Sequence, residues 1–268
     1  MANRLGILAG SGNFPLLALI EAQNQGYFCA VAGFLGEADP ALETRAEVFE
    51  WVGAGELAKL LAFLKNNGIR EIILAGKVDP RSLYRADRFD EAAVKLLAQL
   101  KEKSPSRLVQ ALIGFLSGQG IEVMDPTFLL RRYFCPEGVL TESPPAAEIQ
   151  QDIDFGWRKA RTLADLDIGQ TIVVKNGTVV AVEGVEGTDQ VILRGGELAG
   201  PGIIAVKVSR TSQDPRVDLP GVGFKTIEAL AKVRAAALCL EAERVVFFER
   251  AEALALANAS HIAIVARK

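Results

Sequence analysis

The chain opens on an apolar run that halts at a glycine turn and passes directly into a helical pattern. Residues 4–9 read as a strand, Gly10-Ser11-Gly12-Asn13 breaks it, and residues 14–25 carry a helix. The alternation continues, with strands at 27–33, 71–75 and 121–124 and helices at 57–66, 89–101 and 106–116, and it closes at Asp125-Pro126. Strands alternating with helices predict a parallel sheet with crossover helices. Half of the 268 residues are hydrophobic and only 7% are aromatic, so the core is built from Leu, Ile, Val and Ala, as in sheets covered on both faces. The first half therefore reads as a small Rossmann-like domain.

Regular patterning lapses over 135–147, where Pro136, Gly138, Pro144 and Pro145 interrupt it, and this stretch reads as a linker. A boundary near residue 133 gives an N-terminal domain at 1–133 and a distinct C-terminal α/β domain at 134–268. The second domain begins with a helix over 147–163. A hairpin follows, 171–174 and 178–182 around Asn176-Gly177, the dipeptide best suited to a two-residue turn between alternating apolar runs. Strands at 202–208, 237–241, 245–248 and 262–265 and helices at 224–234 and 249–258 complete it.

With 30 Lys and Arg against 33 Asp and Glu, the chain has no general attraction for a nucleic-acid backbone. No stretch of about 18 residues is apolar enough to span a bilayer, and the residues before Arg4 do not resemble a signal peptide, so a cytoplasmic location is expected. The three cysteines, Cys29, Cys135 and Cys239, are far apart and read as reduced packing residues rather than a metal or disulfide set. The single histidine, His261, has no evident partner. The high apolar content points either to a homodimer interface or to an acyl-binding groove.

Candidate chemistry lies in four places. The turn Gly10-Ser11-Gly12 opens a helix, where backbone N–H groups and the helix dipole hold anions, and Lys77 follows a strand end, where ligands of open α/β sheets gather. In the second domain, Glu183, Glu186, Thr188 and Asp189 share a glycine-containing loop that offers oxygen ligands for Mg2+, with Arg194 toward a phosphate. A polar loop runs from Lys207 through Asp214, Arg216 and Asp218 to Gly223. Pyrophosphate cleavage needs a metal ion, cations on the phosphates and a carboxylate to position water. Asp218, Asp214, Glu186 and Asp189 are the candidate metal ligands, Lys207, Arg216 and Arg194 the candidate phosphate cations, and the Thr188 hydroxyl a further phosphate contact.

Three runs carry a family resemblance: Gln213-Asp214-Pro215-Arg216-Val217-Asp218-Leu219-Pro220 with Gly223 and Thr226-Ile227 after it, Val182-Glu183-Gly184-Val185-Glu186-Gly187-Thr188-Asp189, and Gly6-Ile7-Leu8-Ala9-Gly10-Ser11-Gly12. Together they resemble the LpxI-type UDP-2,3-diacylglucosamine pyrophosphatases over essentially the whole chain. The resemblance implies an Mg2+-dependent hydrolase of lipid A biosynthesis, with Mn2+ as the alternative ion, that splits its lipid-linked UDP-sugar into UMP and 2,3-diacylglucosamine 1-phosphate. It also implies a protein peripheral to the inner face of the cytoplasmic membrane, with the lipid held between a Rossmann-like N-terminal domain and a C-terminal domain. An essential aspartate of the second domain matches Asp218 best, with Asp214 as the competitor. Two rival readings remain, a nicotinamide-dependent oxidoreductase on the first sheet and a non-catalytic nucleotide or lipid binding protein.

Overall fold

The computed structural model describes residues 3–78, 89–100 and 105–268; Met1, Ala2 and Lys101, which fall within the stretches read above, lie outside them. The chain divides into two compact units, Met1–Leu130 with Pro215–Val217, and Arg131–Asp214 with Asp218–Lys268.

In the first unit, β1 (Arg4–Ala9), α1 (Phe14–Asn24), β2 (Phe28–Phe34), α2 (Ala41–Arg45), β3 (Val48–Val52), α3 (Leu57–Asn66) and β4 (Glu71–Ala75) are followed by α4 (Glu91–Ala98), α5 (Pro105–Gly118), β5 (Glu122–Val123) and α6 (Thr127–Leu130). The sheet order is β3-β2-β1-β4-β5 and each pairing is parallel. This is the Rossmann-like order in which the chain leaves β1 toward one edge and later returns to its other side. β2 keeps five consecutive residues buried, as a strand covered on both faces must. On one face Leu8, Ala30 and Ile72 pack with Leu57, Leu60 and Leu64 of α3 and with Leu116 of α5. β3 and α2 were not anticipated. β3 is an edge strand, mostly half-buried, with Glu50 in its middle, so it lacks the continuous apolar run that marks its neighbours.

The second unit contains β6 (Gly138–Val139), α7 (Ala147–Asp165), β7 (Thr171–Lys175), β8 (Thr178–Val182), α8 (Thr188–Ala199), β9 (Ile204–Lys207), β10 (Gly221–Val222), α9 (Phe224–Lys232), β11 (Ala237–Glu241), β12 (Val246–Phe247), α10 (Arg250–Ala259) and β13 (Ala263–Arg267). Six strands form a sheet in the order β6-β13-β11-β9-β7-β8. Within it β9, β11 and β13 are parallel, and β7 runs antiparallel to both β9 and β8. β10 and β12 make a separate two-stranded parallel pair. Alternation along β7 sends Ile172 and Val174 to α7, where Ile153, Ala160 and Ala164 meet them, and Val173 to the opposite layer with Val191, Ile192, Ile227 and Leu230. Asn176 at φ +50° and Gly177 at φ +68° turn the β7–β8 hairpin, the left-handed pair that a type I′ turn requires, and the Asp152 carboxylate accepts both of their N–H groups.

Two expectations need correction here. The segment 135–147 is not simply a linker. Cys135 is fully buried with its N–H on the Val245 carbonyl, β6 pairs with β13, and Ile264 N–H donates to Thr141 Oγ1. Prolines hide this in the sequence because a two-residue edge strand needs no periodic signal. The second correction is α8, whose first residues, Thr188 and Asp189, were read as the end of a loop and whose remainder was not assigned. Gly195 and Gly196 suggest a break, yet a Cβ at these positions would meet Val173 at 2.6 Å and Val233 at 2.4 Å. The glycines are there so that α8 lies close on β7 and on the end of α9.

Burial pushes the thiols of Cys29, Cys135 and Cys239 up to about 12, so thiolate is scarce at neutral pH. The folded protein is expected to take up almost no iodoacetamide at pH 8, and the three cysteines to alkylate after unfolding; mass spectrometry showing rapid labelling of folded protein would contradict their burial.

Candidate active site

In the first unit the carboxyl ends of β1 and β4 adjoin where the strand order reverses, the place where open α/β sheets receive ligands. The structure brings Gly10, Ser11 and Lys77 together there. Gly10 N–H donates to the Ala75 carbonyl at 2.8 Å, Ser11 N–H to the Lys77 carbonyl at 2.7 Å, and Lys77 N–H to the Ser11 carbonyl at 3.0 Å. Ser11 Oγ also donates to the Lys77 carbonyl at 2.8 Å. Gly10 permits this approach, since a Cβ would lie 2.3 Å from the Lys77 oxygen. The expected anion cradle is therefore narrower than the motif suggested: two of its N–H groups are spent on backbone carbonyls. Gly12, at φ +95° with open space beside it, and the exposed Lys77 side chain are what face outward.

In the second unit strand direction explains the site. β8, β9 and β11 end at one edge of the sheet, and β7, running the other way, begins there. That edge gathers Gln170 and Thr171 before and at the start of β7, Glu183 just past β8, Lys207 at the end of β9, and Glu241 at the end of β11. Lys207 is 5% exposed, and a buried ammonium requires partners. Its Nζ donates to Thr188 Oγ1 at 2.7 Å and Thr171 Oγ1 at 3.3 Å, and lies 4.0 Å from Glu183 Oε2. Thr188 Oγ1 donates in turn to Glu183 Oε1 at 3.0 Å. Lys207 and Thr188, chosen as phosphate contacts, are thus joined in a buried network with Glu183.

Gln170 ties this network to Asp218. Its backbone N–H donates to Glu183 Oε2 at 3.1 Å and its side-chain Nε2 to Asp218 Oδ2 at 2.6 Å. Gln213 Nε2 reaches the same oxygen at 3.1 Å and the Asp218 carbonyl at 2.8 Å, while Arg210 Nη2 stands 3.8 Å from it. The Asp218 side chain remains 41% exposed. Asp218 N–H bonds the Asp214 carbonyl at 3.2 Å, which makes 214–218 a single tight turn. Arg216 belongs to the stretch assigned to the first unit.

The loop after β9 is held along its length by side chains. Glu241, 5% exposed, accepts from Ser209 N–H and Oγ at 2.7 Å each and from Arg161 at 2.6 Å. Arg161 also bonds the Ser209 carbonyl, and Arg244 bonds the carbonyls of Arg210 and Thr211. Asp165 takes the N–H and hydroxyl of Thr211, and these bonds hold its carboxyl below the usual range. Asp167 takes Arg210 Nη1 at 2.6 Å. A polar loop fixed at so many points is preorganised, as a site that must hold atoms in place requires. Gln170, Arg210, Gln213, Arg161 and Glu241 were not named as site residues; of these only Arg210 and Gln213 lay within the polar loop read from Lys207 to Gly223.

The four carboxylates chosen as metal ligands are not brought together. Glu186 is engaged by Arg194, whose hydrogen bond holds its carboxyl below the usual range, and Arg194 also donates to the Val182 carbonyl at 2.8 Å. That pair joins the residue read as a metal ligand to the one read as a phosphate contact. Asp189 accepts from Thr226 Oγ1 at 2.7 Å, joining the starts of α8 and α9. Among the described residues no three His, Cys, Asp or Glu side chains converge in a metal-holding group. The oxygen donors near Asp218 include its own carboxylate and the buried Oε1 of Gln170, whose amide bonds Asp218. A cage made wholly of protein does not fit; an ion held by one carboxylate and by substrate phosphates, the usual arrangement for Mg2+, does.

Comparison with known proteins follows this geometry. Residues 4–133 match the LpxI N-terminal domain and residues 136–265 the LpxI C-terminal domain. UDP-2,3-diacylglucosamine pyrophosphatase LpxI of Caulobacter vibrioides is 31% identical over 267 residues, covering 95% of this chain and 94% of that protein. Among solved structures, a UDP-glucose-4-epimerase from Stenotrophomonas maltophila overlaps 95% of this chain and 92% of its own at 15% identity with a TM-score of 0.33. The N5-carboxyaminoimidazole ribonucleotide synthetase of Thermotoga maritima overlaps 69% of this chain at 14% identity and a TM-score of 0.28, and the chain spans only 42% of its length. Neither overlap carries an argument about fold or ligand. The two domain matches and the full-length relative do: the chain belongs to the LpxI family.

Proposed function

We propose that the protein hydrolyses the diphosphate of UDP-2,3-diacylglucosamine to UMP and 2,3-diacylglucosamine 1-phosphate in lipid A biosynthesis, with Mg2+ as cofactor and Mn2+ able to replace it. Catalysis is assigned to the domain at 134–268. The substrate carries two acyl chains, so the protein works at the cytoplasmic face of the membrane without crossing it; no described helix is long and apolar enough to span one. The observation that carries the reading is Asp218, a half-exposed carboxylate with one oxygen fixed by Gln170 and Gln213. On this reading Asp218 orients the attacking water and draws its proton as the oxygen approaches phosphorus. Lys207 sets a fixed positive charge at the sheet edge, and Arg216 contacts a phosphate. Asp218 and the substrate's phosphate oxygens would hold Mg2+, which when bound neutralises charge on the reacting oxygens. A hollow of about 710 Å³ in the first unit, walled by Ala92, Leu96, Leu100 and Phe115 with Glu91 and Lys95 also in its lining, has the mostly apolar wall that an acyl chain needs.

Purified protein given UDP-2,3-diacylglucosamine in detergent micelles with Mg2+ is expected to release UMP and the 1-phosphate lipid in equal amounts by phosphorus NMR, and to stop on chelation with EDTA. Release of UDP, or turnover indifferent to chelation, would count against the proposal.

A further inference from the structure

We propose that Gln170 is the positioning residue for Asp218, an inference that rests on the hydrolase reading above. Gln170 is anchored by its own backbone, whose N–H bonds Glu183 Oε2 at 3.1 Å, and its side-chain Nε2 meets Asp218 Oδ2 at 2.6 Å. Its other amide atom, Oε1, is buried without a hydrogen-bond partner, the one such side-chain atom among the described residues. Turning the amide over would set two acceptor oxygens against each other, so the carboxylate dictates the orientation. A buried acceptor without a donor destabilises a fold, and an apolar side chain of similar length would remove that cost. What such a side chain lacks is the N–H aimed at Asp218. Gln170 and Gln213 together fix Oδ2, and neither of their bonds uses Oδ1, which is left for the reacting partner.

The test is Gln170→Met in the full chain, which retains bulk and the backbone bond to Glu183 while removing the amide. The expected result is a kcat lowered by about 10- to 100-fold, as displacement of a reacting group gives, with KM for the lipid changed less than about threefold and a melting temperature equal to or above the parent's. Gln170→Glu, which puts an anion beside Asp218, is expected to lower kcat at least as far. In an Asp218→Asn background, adding Gln170→Met is expected to cost less than about twofold more, because residues acting through one another are not additive. Parental kcat in Gln170→Met overturns the inference, and so does a melting temperature that falls in step with kcat, since that describes a merely structural glutamine. Either result leaves the hydrolase reading standing if Asp218→Ala is inactive; an active Asp218→Ala sinks both.

Discussion

Asp218→Ala is expected to lower kcat by about 10²- to 10⁴-fold, the range for losing a group that positions and deprotonates a nucleophile, while far-UV circular dichroism stays that of the parent. The carboxylate is 41% exposed, so its removal opens no cavity. Its loss removes the acceptor of the Gln170 and Gln213 amides, both on half-buried residues. Asp214→Ala is the companion measurement. Asp214→Ala keeps the backbone carbonyl that accepts from Asp218 N–H, so the turn that carries Asp218 is retained, and with Asp218 assigned as the reacting carboxylate a smaller loss is expected there. Equal loss in both variants, or near-parental turnover without the Asp218 carboxylate, would remove Asp218 from its assigned role.

The second large effect concerns stability. Glu241→Ala removes the carboxylate that holds Ser209 N–H, Ser209 Oγ and Arg161, leaving a guanidinium and a backbone N–H without their buried partner. Breaking one side of a buried ion pair costs about 3–5 kcal/mol, which for a unit of this size lowers Tm by roughly 10 °C. The start of the loop that bears Asp218 is released as well, so kcat falls even at temperatures where the protein stays folded. Glu241→Gln, which still offers an acceptor to Ser209, is expected to lie between the two. A melting curve for Glu241→Ala that matches the parent would show that the pair contributes nothing net, the desolvation of both charges offsetting their attraction.

Local signals made much of the fold readable. The apolar run before Gly10, the Asn176-Gly177 turn and the three- and four-residue spacing in α3 are decided by neighbours along the chain, and each appears where those neighbours put it. β3, β6 and α8 were hidden for the opposite reason. β3 and β6 are edge strands whose partners, β2 and β13, lie elsewhere in the chain, and the glycines of α8 make sense only beside Val173 and Val233. The site divides in the same way. Asp218, Lys207 and Thr188 were visible because charged and hydroxyl side chains in loops advertise themselves. Gln170 was not, because a single glutamine between Gly169 and Thr171 is unremarked until strand direction puts it between Glu183 and Asp218. The pairing of Glu186 with Arg194 across the start of a helix was hidden as well, because opposite charges eight residues apart do not announce a contact until the turn between them is folded.

The arrangement of the larger sheet bears on how the protein is made. β13 sits inside the sheet, between β6 and β11, although it follows every other strand of that sheet along the chain. While the ribosome is still translating, β6 has no mate and one flank of β11 is bare, so the sheet of the second unit cannot close until residues 263–267 have emerged. Chains stalled or cut short before residue 263 should present a sticky strand border and engage chaperones, whereas chains that include β13 should not.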